Sequence, residues 1–267
     1  MPLRLERASS YYLPQVGLIA SWLVHSREHT NFTYNLTETN LRYLAHTVSV
    51  VTHSDVAQIE SYFREPLQDQ ALQDLVRRAA RQRDAQTTDA DCRFGRRLAW
   101  YGIVRQCRPK LVVETGVDKG LDSLLLCSAL KRNSEEGYPG EYVGTDINPR
   151  AGALFQPPYT QFGRIAYGDS IESLKKLNMP IDVLVNDSDH SSDYEYREYQ
   201  AIADKISPHC IIIGDNCLVT DKLMQFARET GRDFLYFKDE PDHHWFPGTG
   251  VGFFFRKSGP SHQDGGL

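Results

Sequence analysis

Residues 111–120 read Leu-Val-Val-Glu-Thr-Gly-Val-Asp-Lys-Gly and decide how the rest of the chain can fold. Three apolar residues lead into Glu114 and a turn with Gly116 and Gly120, and residues 121–130 then carry apolar side chains at helical spacing. This order predicts a strand, a tight turn and a helix. Glycine lets the backbone approach a ligand closely, and the helix start offers unpaired N–H groups. The stretch therefore predicts a site for a nucleotide-like cofactor, although a plain connection between strand and helix has the same pattern.

Two further short apolar runs also end in a carboxylate. Residues 142–147 contain Asp146, and residues 162–170 close on Gly-Asp-Ser, which contains Asp169. Asp146 follows the glycine turn at the distance where a doubly wound sheet places its ribose-binding acid. Ligands of open α/β sheets bind outside the carboxyl ends of the strands. We therefore expect Glu114, Asp146 and Asp169 to converge on one crevice.

These residues resemble the cofactor-binding half of the class I S-adenosylmethionine-dependent methyltransferases. The resemblance covers about residues 93–257 and rests on Glu-Thr-Gly-x-x-x-Gly, on the strand-end Asp146 and on the Gly-Asp-Ser that contains Asp169. Asp118 departs from the family pattern, because many members have a glycine at this place. The resemblance implies S-adenosylmethionine as the cofactor.

The resemblance also implies a role for each of these residues. The glycine turn would lie under the methionine part of the cofactor, and this role falls to Glu114, Gly116 and Gly120. The second acid, Asp146, would bind the ribose hydroxyls. The third acid, Asp169, would meet the adenine amino group.

Polar residues also follow the fourth and fifth predicted strands, residues 181–185 and 211–213. The fourth strand leads into Asp187, and the fifth leads into Asp215 and Asn216. Carboxylate and amide oxygens at neighbouring strand ends are hard donors of the kind that hold a divalent ion such as Mg²⁺. Asp and Asn are also ordinary turn residues, so a surface loop without a ligand is the alternative.

The same three residues look like the metal ligands of catechol-type O-methyltransferases, which have Asp at the end of strand four and Asp-Asn at the end of strand five. The run Asp-Ser-Asp-His-Ser from Asp187 also resembles a bacterial group of small-molecule methyltransferases with Asp-Gly-Asp-His-Ser at this place. His190 stands where the catechol enzymes have a lysine taken as the base. The resemblance implies that a metal on Asp187, Asp215 and Asn216 lowers the pKa of a substrate hydroxyl. His190 would then take the proton, or it would only hydrogen-bond a neighbouring group.

Strands that alternate with helices predict an α/β fold with a doubly wound, Rossmann-like, seven-stranded sheet. Aromatic runs at residues 234–237 and 251–255 predict a final antiparallel hairpin. Residues 1–92 instead have apolar residues at helical spacing. We therefore divide the chain into an N-terminal helical cap, residues 1–92, and a methyltransferase domain, residues 93–267. The cap is expected to line the substrate pocket or to form the interface of a homo-oligomer.

Composition argues against several other kinds of protein. The 267 residues carry a formal net charge of -5, whereas nucleic-acid-binding proteins concentrate basic residues on one face. Apolar runs stay well below the roughly 18 residues of a membrane helix. The five cysteines show neither metal-finger spacing nor a dense disulfide framework. We expect a cytoplasmic protein that binds neither nucleic acid nor membranes and acts on a small molecule with a hydroxyl group.

Three other functions stay open on the sequence alone. The sheet could bind a nicotinamide dinucleotide and transfer hydride, but the turn lacks Gly-x-Gly-x-x-Gly. The methyltransferase could work without a metal, with the three polar residues contacting the substrate. A relative that binds the cofactor without catalysing transfer could act through its helical cap.

Overall fold

A computed structural model describes residues 2–29, 32–82, 89, 91 and 93–256. Within this part of the chain, seven strands form one sheet in the order β4-β3-β2-β5-β6-β9-β7, and two short strands, β1 and β8, form a separate pair. The strands are β1 (Asn35–Leu36), β2 (Leu111–Thr115), β3 (Glu141–Asp146), β4 (Gly163–Tyr167), β5 (Ile181–Asn186), β6 (Ile206–Gly214), β7 (Asp233–Phe237), β8 (Pro241–Asp242) and β9 (Val251–Phe255).

Helices precede the sheet and alternate with its strands. They are α1 (Pro2–His25), α2 (Glu38–Thr52), α3 (Val56–Gln68), α4 (Gln70–Gln82), α5 (Leu98–Cys107), α6 (Leu121–Glu135), α7 (Ser170–Lys175), α8 (Ser192–Ile202) and α9 (Lys222–Glu229). Short 3₁₀ helices cover Gly95–Arg97 and Tyr159–Phe162. The sequence predicts one helix from Arg93 to Cys107, whereas the structure divides it into a 3₁₀ turn and α5.

The strand pairing confirms the predicted doubly wound sheet. Strands β2 to β6 pair in parallel, and β9 pairs antiparallel with both β6 and β7. The antiparallel pair of β7 and β9 is the predicted final hairpin. From β2 the chain adds β3 and β4 on one side and then crosses over to add β5 and β6 on the other side, so the strand order reverses at β2. The carboxyl ends of β2 and β5 therefore border the crevice where such sheets bind ligands.

Side chains alternate between two hydrophobic layers, one on each face of the sheet. On β2, Val112 packs with the N-terminal helices and α6, while Val113 packs with α7, α8 and α9. On β5, Val183 and Leu184 divide in the same way. Strands covered on both faces need nearly continuous apolar sequence, which explains why β2 and β5 read as apolar runs.

The N-terminal helices share the core of the sheet. Leu44, Ile59 and Leu72 are fully buried in the same hydrophobic cluster as Trp100 of α5. Asp55 caps α3 by accepting hydrogen bonds from the N–H groups of Ala57 and Gln58. This hydrophobic cluster contains residues from both sides of the predicted boundary after residue 92. The division of the chain into a cap and a domain stays a prediction.

One strand lies in the region for which the sequence predicts only helices. Asn35 pairs with Asp242 and Leu36 with Pro241 in an antiparallel bridge between β1 and β8. Two residues are too few to show the alternation of a strand. This bridge joins the N-terminal region to the segment that follows β7, and both contribute to the site described below.

Helix α1 has a different environment from the other N-terminal helices. None of its residues is buried, and Leu13 and Leu23 are 66% and 68% exposed. No helix in the described residues is both long enough and apolar enough to cross a membrane. The apolar surface of α1 therefore needs another explanation.

Candidate active site

Gly116 brings the ends of β2 and β5 into contact. Its φ is +84°, and a Cβ atom at this position would lie 1.9 Å from the carbonyl oxygen of Asp187. Its N–H donates a hydrogen bond to the carbonyl oxygen of Thr145 on β3 (2.9 Å). The short distance to Asp187 excludes any residue other than glycine, and the positive φ favours glycine. The turn thus approaches the end of β5 closely, while its predicted close approach to a ligand stays a prediction.

The rest of the turn also has left-handed backbone conformations. Asp118 has a φ of +41°, a left-handed conformation that Asp adopts more readily than most residues. Gly120 also has a positive φ, +83°, and packs on Gly152, because a Cβ atom would lie 3.0 Å from the Cα of that residue. Asp118 thus has a conformation that glycine also adopts readily.

A cleft of about 500 Å³ opens at the carboxyl ends of β2 to β5. Five residues predicted for the site line it together: Gly116, Asp146, Asp169, Asp187 and His190. Glu114, Gly120, Asp215 and Asn216 are not among the lining residues. Asp146 and Asp169 thus line the same cleft as expected from the sequence, whereas Glu114 lines a small cavity that also contains Gly116 and Asp187.

Asp146 is held in place at the end of β3 by two backbone groups. Its Oδ2 accepts from the N–H of Asp118 (2.8 Å), and its Oδ1 accepts from the N–H of Asn148 (2.7 Å). A carboxylate has about four lone pairs, so each oxygen can accept one further hydrogen bond. Asp146 is thus fixed to the glycine turn and can still bind a pair of hydroxyl groups.

Asp169 is fixed at the start of α7. Its Oδ1 accepts from the N–H of Glu172 (2.9 Å), and this bond lowers the pKa of Asp169. Its Oδ2 accepts from the hydroxyl of Tyr194 (3.1 Å), a lining residue of the cleft that the sequence does not single out. Asp169 is therefore ionised and oriented at the end of the cleft formed by β4.

Glu114 has a buried position behind the turn. It is only 1% exposed, and its Oε2 accepts hydrogen bonds from Ser123 Oγ (2.8 Å) and from the hydroxyl of Tyr142. Burial, followed by the nearby Asp122, raises the pKa of Glu114 well above its ordinary value. Glu114 therefore links the end of β2 to the start of α6 and to β3.

Asp187 and His190 form a close pair at the end of β5. The Nε2 of His190 lies 3.4 Å from Asp187 Oδ1 and 2.8 Å from Asn216 Nδ2. Burial, together with the neighbouring Asp215, raises the pKa of Asp187. The hydrogen bond to Asp187 in turn raises the pKa of His190. The pair is therefore disposed to share one proton.

The side chain of Asn216 fixes the tautomer of the neutral His190 ring. Its Oδ1 accepts from Thr249 Oγ1 and from Arg96 Nη2 (3.3 Å), so its amide nitrogen faces His190. An amide nitrogen can only donate. In the neutral imidazole Nε2 is therefore the acceptor, and Nδ1 holds the proton.

Arg96 is the main site residue that the sequence does not predict. Its Nη2 donates to Asp215 Oδ2 (2.6 Å), and its Nη1 donates to Asp239 Oδ2 (3.1 Å) and to the hydroxyl of Tyr34 (2.9 Å). The residue is 6% exposed. The only available signal is a pair of arginines within the apolar run Phe-Gly-Arg-Arg-Leu-Ala-Trp, because the partners of Arg96 lie far away in sequence.

A second cavity, of about 610 Å³, lies between α1 and the segment after β8. Rings from three parts of the chain form a cluster here: Trp22, Phe32, Tyr34, His244, Trp245 and Phe246. Trp22 and Trp245, whose ring centroids are 5.2 Å apart, both line the cavity. Thr33 lines this cavity and also a small one that reaches Gly116 and Asp187. The aromatic cavity therefore lies next to the small cavity that contains Asp187.

No group of three or more His, Cys, Asp and Glu side chains in the described residues is arranged to hold a metal ion. The predicted set of Asp187, Asp215 and Asn216 contains only two residues of these types, because Asn216 is an amide.

Comparison with known proteins identifies the fold. A family model described as a methyltransferase domain matches residues 113–217. Similar solved structures include a methyltransferase from Geobacter sulfurreducens, with 18% identity over 72% of this chain and 90% of that chain and a TM-score of 0.51. A candidate O-methyltransferase from Klebsiella pneumoniae has 16% identity over 71% and 91% of the two chains and a TM-score of 0.51.

A third solved structure is the O-methyltransferase TomG from Streptomyces achromogenes, involved in tomaymycin synthesis and determined in complex with S-adenosylmethionine. It has 14% identity over 72% of this chain and 91% of that chain, with a TM-score of 0.50. No curated protein matches the sequence. The strand order and the matched segment show that this chain has the fold of the class I S-adenosylmethionine-dependent methyltransferases and contains a methyltransferase domain over residues 113–217.

Proposed function

We propose that the protein transfers a methyl group from S-adenosylmethionine to a hydroxyl group of a small molecule. The observation that carries this proposal is the cleft where the glycine turn, Asp146 and Asp169 lie beside Asp187 and His190. Groups suited to the cofactor and a group suited to proton transfer are thus close together. The fold supports the proposal, and TomG, which shares it, is an O-methyltransferase.

The cofactor would be held by the residues that the resemblance implies. When bound, S-adenosylmethionine supplies an electrophilic methyl group. Asp146, with its carboxylate fixed by backbone N–H groups, would accept from the ribose hydroxyls, and Asp169 would accept from the adenine amino group. Gly116 and Gly120 would let the turn lie close under the methionine part, with Glu114 supporting the turn.

His190 is the proposed general base, and Asp187 is its partner. In the neutral ring the single lone pair of Nε2 accepts from Asn216, so the substrate hydroxyl would displace this N–H before Nε2 takes its proton. The carboxylate of Asp187, 3.4 Å from Nε2, would then stabilise the charged imidazole. Holding the hydroxyl and the methyl group in line would supply much of the remaining rate enhancement.

The divalent ion predicted from the sequence does not fit the donor atoms as the structure places them. Asn216 Oδ1 already accepts from Thr249 and Arg96, and Asp215 Oδ2 already accepts from Arg96. Our proposal therefore contains no metal step. A metal-assisted transfer is the second candidate, because the buried Oδ1 of Asp215 has no hydrogen-bond partner among the described residues.

We further propose that the aromatic cavity binds the methyl acceptor. Two indole rings line it, and flat aromatic faces favour a planar aromatic hydroxyl compound. Thr33, which lines both this cavity and the small one beside Asp187, would lie between the acceptor and Asp187.

A pair of variants separates cofactor binding from chemistry. Asp146→Ala should weaken S-adenosylmethionine binding at least about tenfold, because hydrogen bonds to a charged acceptor contribute about 1.5–3 kcal/mol. His190→Ala should leave this affinity unchanged and lower kcat by about 10²–10⁴, the usual contribution of a general base. Calorimetry measures the first effect, and methyl transfer from labelled S-adenosylmethionine into metabolite extracts measures the second and identifies the acceptor.

Glu141→Ala is the matched control, because Glu141 is an acid at the opposite end of the same strand, β3. Its cofactor affinity should equal that of the wild type. Tight binding of a nicotinamide dinucleotide without binding of S-adenosylmethionine would refute the proposed function. Binding of S-adenosylmethionine without transfer to any hydroxyl compound would favour the non-catalytic relative.

A further inference from the structure

The region where the sequence predicts a divalent ion contains a side chain with its own positive charge. The guanidinium of Arg96 bonds two of the three predicted ligands, Asp215 at 2.6 Å and Asn216 at 3.3 Å, through the same nitrogen, Nη2. These contacts use the amide oxygen of Asn216 and one oxygen of Asp215, Oδ2. An arginine therefore makes the contacts predicted for the metal.

Groups on the opposite side hold Arg96 in this position. Its Nη1 donates to the hydroxyl of Tyr34 (2.9 Å), to Asp239 Oδ2 (3.1 Å) and to Thr249 Oγ1 (3.2 Å). Asp239 is fully buried, and it also accepts from the N–H of Gly250 (2.7 Å). Withdrawal of Arg96 would leave the buried carboxylate of Asp215 without a cation and that of Asp239 with only Lys238, at 3.9 Å, which is costly.

The position of Arg96 also affects the proposed base. Arg96 and Thr249 both donate to Asn216 Oδ1, and this fixes the amide nitrogen of Asn216 toward His190 Nε2. The amide would be free to turn over without these donors, and its oxygen could then face the imidazole. Arg96 thus orients Asn216, and Asn216 keeps Nε2 as the accepting nitrogen of His190.

We infer that Arg96 is the resident cation of this site, that it replaces the divalent ion, and that it positions the base through Asn216. Wild-type protein accordingly does not take up Mg²⁺ or Mn²⁺ at Asp187, Asp215 and Asn216. The statement about metal uptake is independent of the proposed function, whereas the positioning role of Arg96 rests on it.

The first test uses Mn²⁺ alone as the probe, with the full-length wild-type protein and no cofactor. Electron paramagnetic resonance should show that Mn²⁺ stays free in solution at millimolar concentration. Arg96→Met, which keeps an apolar side chain of similar length, should instead bind about one Mn²⁺ per chain, since Asp215 and Asn216 regain free oxygens. Uptake of one Mn²⁺ by the wild type, abolished by Asp215→Asn, would overturn the inference even where the Arg96 variant does not fold.

The second test concerns positioning and uses the acceptor found by labelled methyl transfer. Chelated wild-type enzyme should keep its full rate. Arg96→Lys keeps a charge but loses the planar fork, so kcat should fall at least about tenfold while the KM for S-adenosylmethionine stays unchanged. Arg64→Lys, a change at an exposed arginine of α3, is the control and should have no effect. Loss of activity on chelation, restored by Mg²⁺, would refute the positioning role, whereas absence of transfer to any acceptor would refute the proposed function and leave the Mn²⁺ result standing.

Discussion

At the scale of single residues, Glu114 is a carboxylate in a place that favours the neutral acid. Burial raises its pKa above the ordinary value of 4.5, so the folded state retains a proton that the unfolded chain has already lost. The stability that this proton contributes is complete below pH 4.5 and is lost as the pH rises through the folded-state pKa. Near neutral or alkaline pH the fold therefore carries the cost of a buried charge.

We expect Glu114→Gln to stabilise the fold more near pH 8 than near pH 5. Glutamine stays neutral, and its oxygen can accept from Ser123 and Tyr142 as the carboxylate does. Each unit by which the pKa is raised corresponds to about 1.4 kcal/mol. Thermal unfolding at the two pH values measures the difference. Glu172→Gln, at an exposed acid, should show no such dependence, and an equal destabilisation of Glu114→Gln at both pH values would contradict the prediction.

The strand-end residues could be predicted from the sequence, whereas Arg96 could not. Parallel strands bring their carboxyl ends to one edge, so Asp146, Asp169 and Asp187 converge whatever the details of packing. Arg96 meets Asp215 and Asp239 across separations of 119 and 143 residues, with no repeating pattern to signal the contact. The same contact explains why the three predicted metal ligands do not form a free donor set.

At the scale of elements, the centres of the strands could be predicted and their ends could not. The sequence predicts the fifth strand at residues 211–213, whereas β6 covers Ile206–Gly214. The sequence misses the start of the strand because the residues around His209 are exposed or polar. Pairing with β5 shifts register at these residues, since Ile181 pairs with Ile206 and Val183 with Ile211, so they interrupt the regular ladder as well as the apolar run. Strand ends depend on a neighbour that the sequence pattern does not reveal.

The aromatic cluster gives a prediction about the segment after β8. Replacing Trp245 by alanine should raise the acceptor KM roughly tenfold, since one of the two indole faces that line the cavity is lost. The affinity for S-adenosylmethionine should stay the same, because Trp245 does not line the cofactor cleft. Steady-state kinetics with the identified acceptor and calorimetry with the cofactor measure the two quantities.

Tyr43→Ala serves as the control for this change. Tyr43 is an aromatic residue of α2 that is 61% exposed and does not line the cavity. Its substitution should leave the acceptor KM unaltered. Equal KM values for Trp245→Ala and the wild type would show that the acceptor binds elsewhere.

At the largest scale, none of the described residues covers α1 completely enough to bury any of its side chains. Its apolar residues nevertheless follow a regular order: Leu5, Tyr12, Val16, Ile19 and Leu23 are spaced by seven, four, three and four positions. This is the spacing of the a and d positions in a coiled coil. All five are large and exposed, from 41% for Ile19 to 73% for Tyr12. Such a stripe fits α1 of a second copy of the chain.

We therefore expect the protein to form a homo-oligomer through α1. Val16→Glu places a carboxylate on the stripe, and the cost of burying that charge should weaken association at least about 100-fold. Val24→Glu makes the same chemical change at a residue that is 77% exposed but lies off the stripe, so it should leave association unaltered. Sedimentation velocity over a concentration series measures both. A wild-type protein that stays monomeric throughout, or an equal effect of the two variants, would contradict self-association along this stripe.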